Sequence, residues 1–199
     1  ITEQIDKPGS VSQWVSVDDL ERNRYFGKQP WMLADGGREM VESINGASTM
    51  RLRDLVVEIG YGAVTREDDA YMIGGGAARR AGIESNYLRP IVEGNDVRNY
   101  AVWQPTVSLW PYAEDDLRAS TSVTVSRFLW PYRVQLRRRV AYGKTQLQRG
   151  LNWFEYSMFF KNRYRTPLSV SFAFVATHNH FVLDRGGKVF KQTAPVIKL

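Results

Sequence analysis

Apolar positions recur at helical spacing in several stretches of the chain. Leu129, Tyr132, Leu136 and Val140 stand three, four and four residues apart, with Arg133, Arg137, Arg138 and Arg139 on the other faces. That spacing predicts a helix from Ser126 onward. Met40, Val41 and Ile44 follow Asp35-Gly36-Gly37 and precede Asn45-Gly46, which marks a short helix and its stop. Leu52, Leu55, Val56 and Ile59 fall on one face and predict a second short helix over 49–59. Gly74-Gly75-Gly76 to Ala81 reads as a loop or a short Ala/Arg helix start, and the aromatic-rich run Trp153 to Phe160 as a short helix.

Strand patterns alternate with these. Asp68 to Ile73 reads as a strand after an acidic turn, Ile91 to Asp96 as strand then turn, and Val102 to Tyr112 as a strand with ends broken by Pro105 and Pro111. Residues 168–175 alternate most clearly. Phe181 to Leu183 and Val189 to Phe190 flank Asp184-Arg185-Gly186-Gly187-Lys188, which predicts a hairpin with a basic tip. The last residues read as another strand. No βαβ rhythm is present, so the class is α+β: short helices mixed with a twisted, mostly antiparallel sheet. Leu-Trp-Pro-Tyr occurs at 109–112 and again at 129–132, but the flanks differ and the match reads as coincidence.

Residues 1–36, interrupted by Pro8-Gly9-Ser10, Gly27, Pro30 and Gly36-Gly37, read as a lead-in linker or docking segment using Trp14, Tyr25, Phe26 and Trp31. Residues 37–199 read as the main domain. The chain opens on Ile1 and closes on the apolar run 194–199, as a segment of a longer polypeptide would.

Charge sharpens this picture. The net charge of +6 is unevenly spread: residues 1–126 carry 13 Lys and Arg against 19 Asp and Glu, whereas 127–199 carry 14 against only Glu155 and Asp184. A stretch this basic attracts polyanions and releases counterions on meeting phosphates. A plain alternative is a basic face that neutralises the acidic half. With no cysteine, disulfides, thiolate catalysis and Cys-ligated zinc are excluded. No apolar run approaches the ~18 residues of a membrane span, and a cytoplasmic protein without a membrane partner is the expectation.

Candidate chemistry is sparse. Gly60-Tyr61-Gly62 and Gly74-Gly75-Gly76 complete neither a Walker pattern nor a dinucleotide fingerprint. His178 and His180 would need an oxygen ligand such as Asp184 to hold a metal, and read more simply as a solvent-facing strand end. Glu67-Asp68-Asp69 and Glu114-Asp115-Asp116 read as solvated turns. No catalytic, cofactor-binding or metal residue is assigned. In an extended loop, Lys161, Arg163 and Arg165 would project from one edge with a two-residue period that suits successive phosphates. The tip Arg185/Lys188 and the stretch Lys144, Gln146, Gln148 and Arg149 are further candidates.

Two segments resemble a known group. Gly62-Ala-Val-Thr65-Arg66-Glu-Asp-Asp-Ala-Tyr71 is similar to a loop of the target-recognition domains of adenine-specific DNA methyltransferases. Tyr87-Leu-Arg-Pro90-Ile-Val-Glu-Gly94-Asn-Asp96-Val-Arg98-Asn-Tyr100 resembles the segment that follows it there, and Val107 to Tyr112 the next strand. The specific matches span 62–112 and the looser ones about 50–199. The likeness is to the TaqI-like specificity domain, and within it to the PglX-type methyltransferases of BREX phage-defence systems. Arg66 stands where that group has Gly, a residue that takes positive φ freely. Gly150 stands where it has an Arg.

The resemblance implies double-stranded DNA as partner, contact through Thr65 and Arg66, and a parent enzyme that methylates adenine using S-adenosylmethionine. It also implies that catalysis belongs to an upstream methyltransferase domain of the same chain, since no Asn/Asp-Pro-Pro-Tyr/Phe motif is present here. The competing expectation is a protein-interaction module that docks other defence-system proteins or a DNA-mimic inhibitor.

Overall fold

The computed structural model describes residues 3–28, 31–34, 36–165 and 168–199; Pro30, Asp35 and Thr166-Pro167 of the sequence reading lie outside them. The chain divides into two compact units, Ile1–Asp54 and Leu55–Leu199. Both helices and antiparallel sheets are present, so the α+β class holds.

The first unit is built on local bonds. Ser10–Val11 pairs antiparallel with Ser16–Val17. Glu21 caps the helix Arg22–Phe26 by accepting from the Asn23 and Arg24 amides at 3.2 and 3.0 Å. The helix Gly37–Ala47 runs through Asn45-Gly46 and ends one residue past the expected stop, with Ser48 as its C-cap. Among its described residues Gly37 alone is buried, so this unit has no apolar core of its own.

Eight strands of the second unit form two four-stranded sheets: Glu58–Gly60 (β1), Met72–Ile73 (β2), Leu88–Val92 (β3), Thr106–Leu109 (β4), Ser169–Phe172 (β5), Phe181–Asp184 (β6), Val189–Phe190 (β7) and Val196–Lys198 (β8). One sheet runs β6-β5-β8-β1, antiparallel throughout. The other runs β7-β3-β4-β2, parallel between β7 and β3 and antiparallel elsewhere. Pro90 is tolerated inside β3 because β7 joins that edge only from Ile91, so the missing amide falls on an open stretch.

An aromatic core fills the space beside β4. Trp110, Tyr71 and Tyr156 are fully buried, and Tyr112, Phe159 and Tyr164 pack on them with ring centroids 4.5–6.5 Å apart. Each such pair adds about 0.5–1.5 kcal/mol beyond area burial. The phenols also fasten backbone: Tyr71 Oη donates to the Phe154 and Glu155 carbonyls, and Tyr112 Oη accepts from the Tyr156 amide. Burial pushes Tyr71, Tyr112 and Tyr156 above their ordinary pKa, so all three phenols stay neutral. A second apolar cluster joins Val92, Val97, Val182, Phe190, Ala194 and Val196. The two Leu-Trp-Pro-Tyr segments sit in unlike settings: Trp110 is in the core, Trp130 is 60% exposed on a helix.

Several expectations are corrected. Residues 49–59 are helical only over Leu52–Leu55 before β1 begins. Asp68–Tyr71 is a helical turn, not a strand: Thr65 Oγ1 donates to Asp68, and two carboxylates suit the first turn of a helix. The 123–138 helix starts three residues earlier than expected, capped by Ser122, and stops at Arg138, so Val140 lies in a strand instead. Residues 153–160 make turns and the strand Met158–Phe159, which pairs with Ala63–Val64. The expected hairpin over 181–190 is absent. The turn forms, with Gly186 and Gly187 at φ 101° and 77°, but β6 pairs with β5 and β7 with β3. The turn passes the chain from one sheet to the other.

Candidate nucleic-acid interface

Of the 14 cationic side chains in 127–199, seven are exposed and three are buried. The buried ones are structural. Arg139, only 6% exposed, donates to the carbonyls of Leu136, Trp153 and Glu155 at 3.0, 3.2 and 2.6 Å and to that of Thr65, and its guanidinium lies over the Tyr71 ring. Lys191 sits between Asp68 and Glu93, 2.6 Å from each. Burial alone would lower the Lys191 pKa, but its bonds to the two carboxylates win and hold it above the ordinary value. For Asp68, likewise, desolvation is outweighed by Lys191 and Thr65, and its carboxyl is held low. Lys198 is buried in β8, and its pKa is lowered by that burial.

The predicted residues separate into three groups. Thr65, Arg66, Lys144 and Arg149 converge. Thr65 is fully buried, with its hydroxyl on Asp68 and its carbonyl on Arg139, so it shapes the loop and offers no side chain to a ligand. Arg66 adopts φ 57°, the conformation Gly would take freely, and its Nη1 donates to the Val140 carbonyl at 2.5 Å. This ties the 65–66 loop to the hairpin Val140–Ala141/Lys144–Thr145. Lys144 is exposed on the hairpin's second strand. Arg149 is held by the Ser157 carbonyl at 2.6 Å and by Gln146 Oε1 at 2.7 Å. Its pKa is lowered, first by burial and then by the neighbouring charges of Arg139 and Arg66. Gln146 is wholly buried, with Nε2 on the Asn152, Glu155 and Tyr156 carbonyls, so it cannot read a base; Gln148 Oε1 accepts from the Thr145 amide.

The second group is Lys161, Arg163 and Arg165. They lie on the short helix Lys161–Arg165, not on an extended edge, so the two-residue period does not align them. Arg163, 14% exposed, pairs with Glu58 at 2.6 Å, donates to the Tyr61 carbonyl and stacks on Phe160. Its guanidinium fills the space a Cβ on Gly60 would need, which explains that glycine. Lys161 is exposed, and Arg165 is exposed with one donor on the Asp116 carbonyl. The third group is the turn: Arg185 is exposed, whereas Lys188 pairs with buried Asp184 at 2.7 Å.

Two residues outside the predicted set complete the first cluster. Arg137 and Arg138 are exposed at the end of the helix Arg133–Arg138, lining a depression of about 400 Å³ with Val134 and Leu147. The run Arg137-Arg138-Arg139 signalled cations without showing that the third turns inward. Arg66, Arg137, Arg138, Lys144 and Arg149 have no carboxylate within ion-pair distance among the described residues. Uncompensated charge of one sign on adjoining elements is what an anion partner would neutralise. His178 and His180 are near the surface with ring centroids 6.4 Å apart, and no three metal-ligating side chains come together among the described residues. No helix among the described residues is long and apolar enough to cross a membrane.

No family model matches the chain. Over its whole length, in an alignment of 202 residues, it is 46% identical to the adenine-specific methyltransferase PglX of Streptomyces coelicolor. The chain spans 17% of the length of that protein.

Proposed function

We propose that this chain grips duplex DNA and reads the target site on behalf of an adenine-specific methyltransferase, in a TaqI-like specificity domain of a PglX-type protein acting in BREX-type phage defence. The observation that carries the reading is the cation cluster around the 140–145 hairpin, Arg66, Arg137, Arg138, Lys144 and Arg149, which lacks carboxylate partners among the described residues. The 46% identity to PglX supports the enzyme class. The partners on this reading are double-stranded DNA, a methyltransferase domain of the same protein and other defence-system proteins, in the cytoplasm.

The residues here do not fit S-adenosylmethionine. A Cβ on Gly60 would meet the Arg163 guanidinium at 2.6 Å and one on Gly62 the Phe190 carbonyl at 3.1 Å, so both glycines serve packing. Gly74-Gly75-Gly76 opens a six-residue helix instead of a cofactor loop. The methyl donor belongs to the catalytic part of the parent enzyme. What these residues do is position: phosphate contacts fix register, and side chains beside them meet base edges.

The test is duplex affinity against salt. Neutralising four or five phosphates predicts a loss of about 10²-fold between about 50 and about 200 mM salt. Charge reversal at Arg137, Arg138 and Lys144 should weaken binding to every sequence and flatten that dependence by about one contact per residue. No binding at low salt, or equal binding at both, overturns the proposal.

A second reading concerns residues 1–54. Trp14, Trp31, Met40 and Ile44 are all more than half exposed, and the described residues of the unit bury no apolar side chain, which supports a docking role toward protein partners. Pull-downs with residues 1–54 altered at Trp14 and Trp31 test it: unchanged capture refutes it.

A further inference from the structure

The hairpin Val140–Ala141/Lys144–Thr145 turns on two residues, Tyr142 and Gly143, at φ 53° and 73°. Two-residue turns of this kind need positive φ at both positions, and Gly or Asn supplies it without strain. A tyrosine there costs about 1–2 kcal/mol. Tyr142 is 80% exposed and stacks on no other ring among the described residues, so its ring gains little from packing in return for that cost. Its base is rigid, since Ala141 is buried, the Val140 carbonyl is held by Arg66 and the Thr145 amide by Gln148. Lys144 directly follows the tip, and Arg66 reaches the same hairpin.

We propose that Tyr142 is a base-stacking finger: an aromatic plane, presented rigidly between cations that hold phosphates, that lies against the open face of a nucleobase where a base pair is disrupted. This rests on the DNA reading above and adds the state of DNA that is bound. A second strained tip gives the contrast. Asn99-Tyr100 closes the pair Val97–Arg98/Ala101–Val102 with φ 48° and 66°, and Tyr100 is 85% exposed. There, however, the one cation of the hairpin itself, Arg98, spends its guanidinium on the Gly94 and Val97 carbonyls, whereas Lys144 next to Tyr142 is exposed and has no carboxylate partner among the described residues. Strain and exposure are shared; charge complementarity to a polyanion singles out Tyr142.

The experiment uses the whole chain with Tyr142→Phe, Tyr142→Asn and Tyr100→Asn. The probes are a fully paired duplex and the same duplex with one 2-aminopurine opposite an abasic site. The chain and Tyr142→Phe should prefer the disrupted duplex by about tenfold and quench its fluorescence, the scale of one base–aromatic stack. Tyr142→Asn should lose the preference and the quenching, keep its affinity and salt dependence on the paired duplex, and melt no lower than the parent. Tyr100→Asn should behave as the parent. If Tyr142→Asn keeps both preference and quenching, the assignment of Tyr142 falls while the DNA reading stands. If no duplex is bound at low salt, both fall together.

Discussion

Replacing Arg139 with Met should destabilise the 55–199 unit more than any change to the surrounding arginines. The residue is 6% exposed and has no carboxylate partner among the described residues; its charge is balanced by carbonyl dipoles and the face of the Tyr71 ring. In Arg139→Met the Glu155 carbonyl keeps Tyr71 and Gln146 as donors, but those of Thr65 and Trp153 have no other donor among the described residues. Each stranded buried carbonyl costs about 1–3 kcal/mol. Sparing the desolvation of a buried guanidinium returns part of this. The net expectation is a loss of about 2–4 kcal/mol, from a total of about 5–15. For a unit this size that lowers Tm by about 5–15 °C. Urea melts followed by tryptophan fluorescence measure it directly. Arg139→Lys should also lose stability, because one ammonium cannot span carbonyls from three segments as a planar fork does. Arg139→Met within about 0.5 kcal/mol of the parent, at unchanged m-value, would refute the cross-link.

Two further outcomes follow from the ion pairs. Asp68 is held below its ordinary value, so its contribution is present above about pH 4 and disappears as pH falls through the lower folded value; Lys191 is held above its own, so its contribution is present below about pH 10 and disappears as pH rises through the folded value. Urea midpoints should therefore fall on both sides of these limits, on the alkaline side also because Tyr71, Tyr112 and Tyr156 stay protonated in the folded chain where the unfolded chain loses those protons, and Lys191→Met should shrink the alkaline fall without removing it; a Lys191→Met profile parallel to the parent's at high pH contradicts the pairing. Arg163→Glu faces Glu58 with a like charge in a site 14% exposed and should cost about 2 kcal/mol or more, whereas Lys161→Glu should leave the thermal melt within about 0.5 kcal/mol; equal shifts would show that Arg163 is not the interior anchor.

The long helical spacing around Leu129 and Leu136 was legible because both residues are buried on one face, and the strand over 169–172 because it alternates buried with half-buried residues. Runs of two to four apolar residues were not. Val189-Phe190 looks like the return arm of a hairpin, yet it pairs with Ile91-Val92, almost a hundred residues earlier, because Val189 and Ile91 are buried in one apolar cluster and Phe190 and Val92 in the other. Local turn chemistry was read correctly there and says nothing about partners so distant. The charge asymmetry pointed to the right third of the chain but could not sort it. Arg137, Arg138 and Arg139 are identical letters, and only the backbone break at Arg139 sends one of them inward. Tyr142-Gly143 escaped notice as a turn because an aromatic at a positive-φ position is the residue that turn rules would reject.

The ten residues from Val189 to Lys198 give each four-stranded sheet a member: an edge strand to one, an inner strand to the other. During synthesis, therefore, one sheet cannot close until residue 190 has cleared the ribosome and the other until residue 198 has, and β1 waits for β8 through some 135 residues of translation. The nascent unit carries its strand edges and much of its aromatic interior unsheltered for that interval. Assembly is thus a late, single event with high sequence separation, the circumstance in which a chaperone or a fast-folding neighbour matters most.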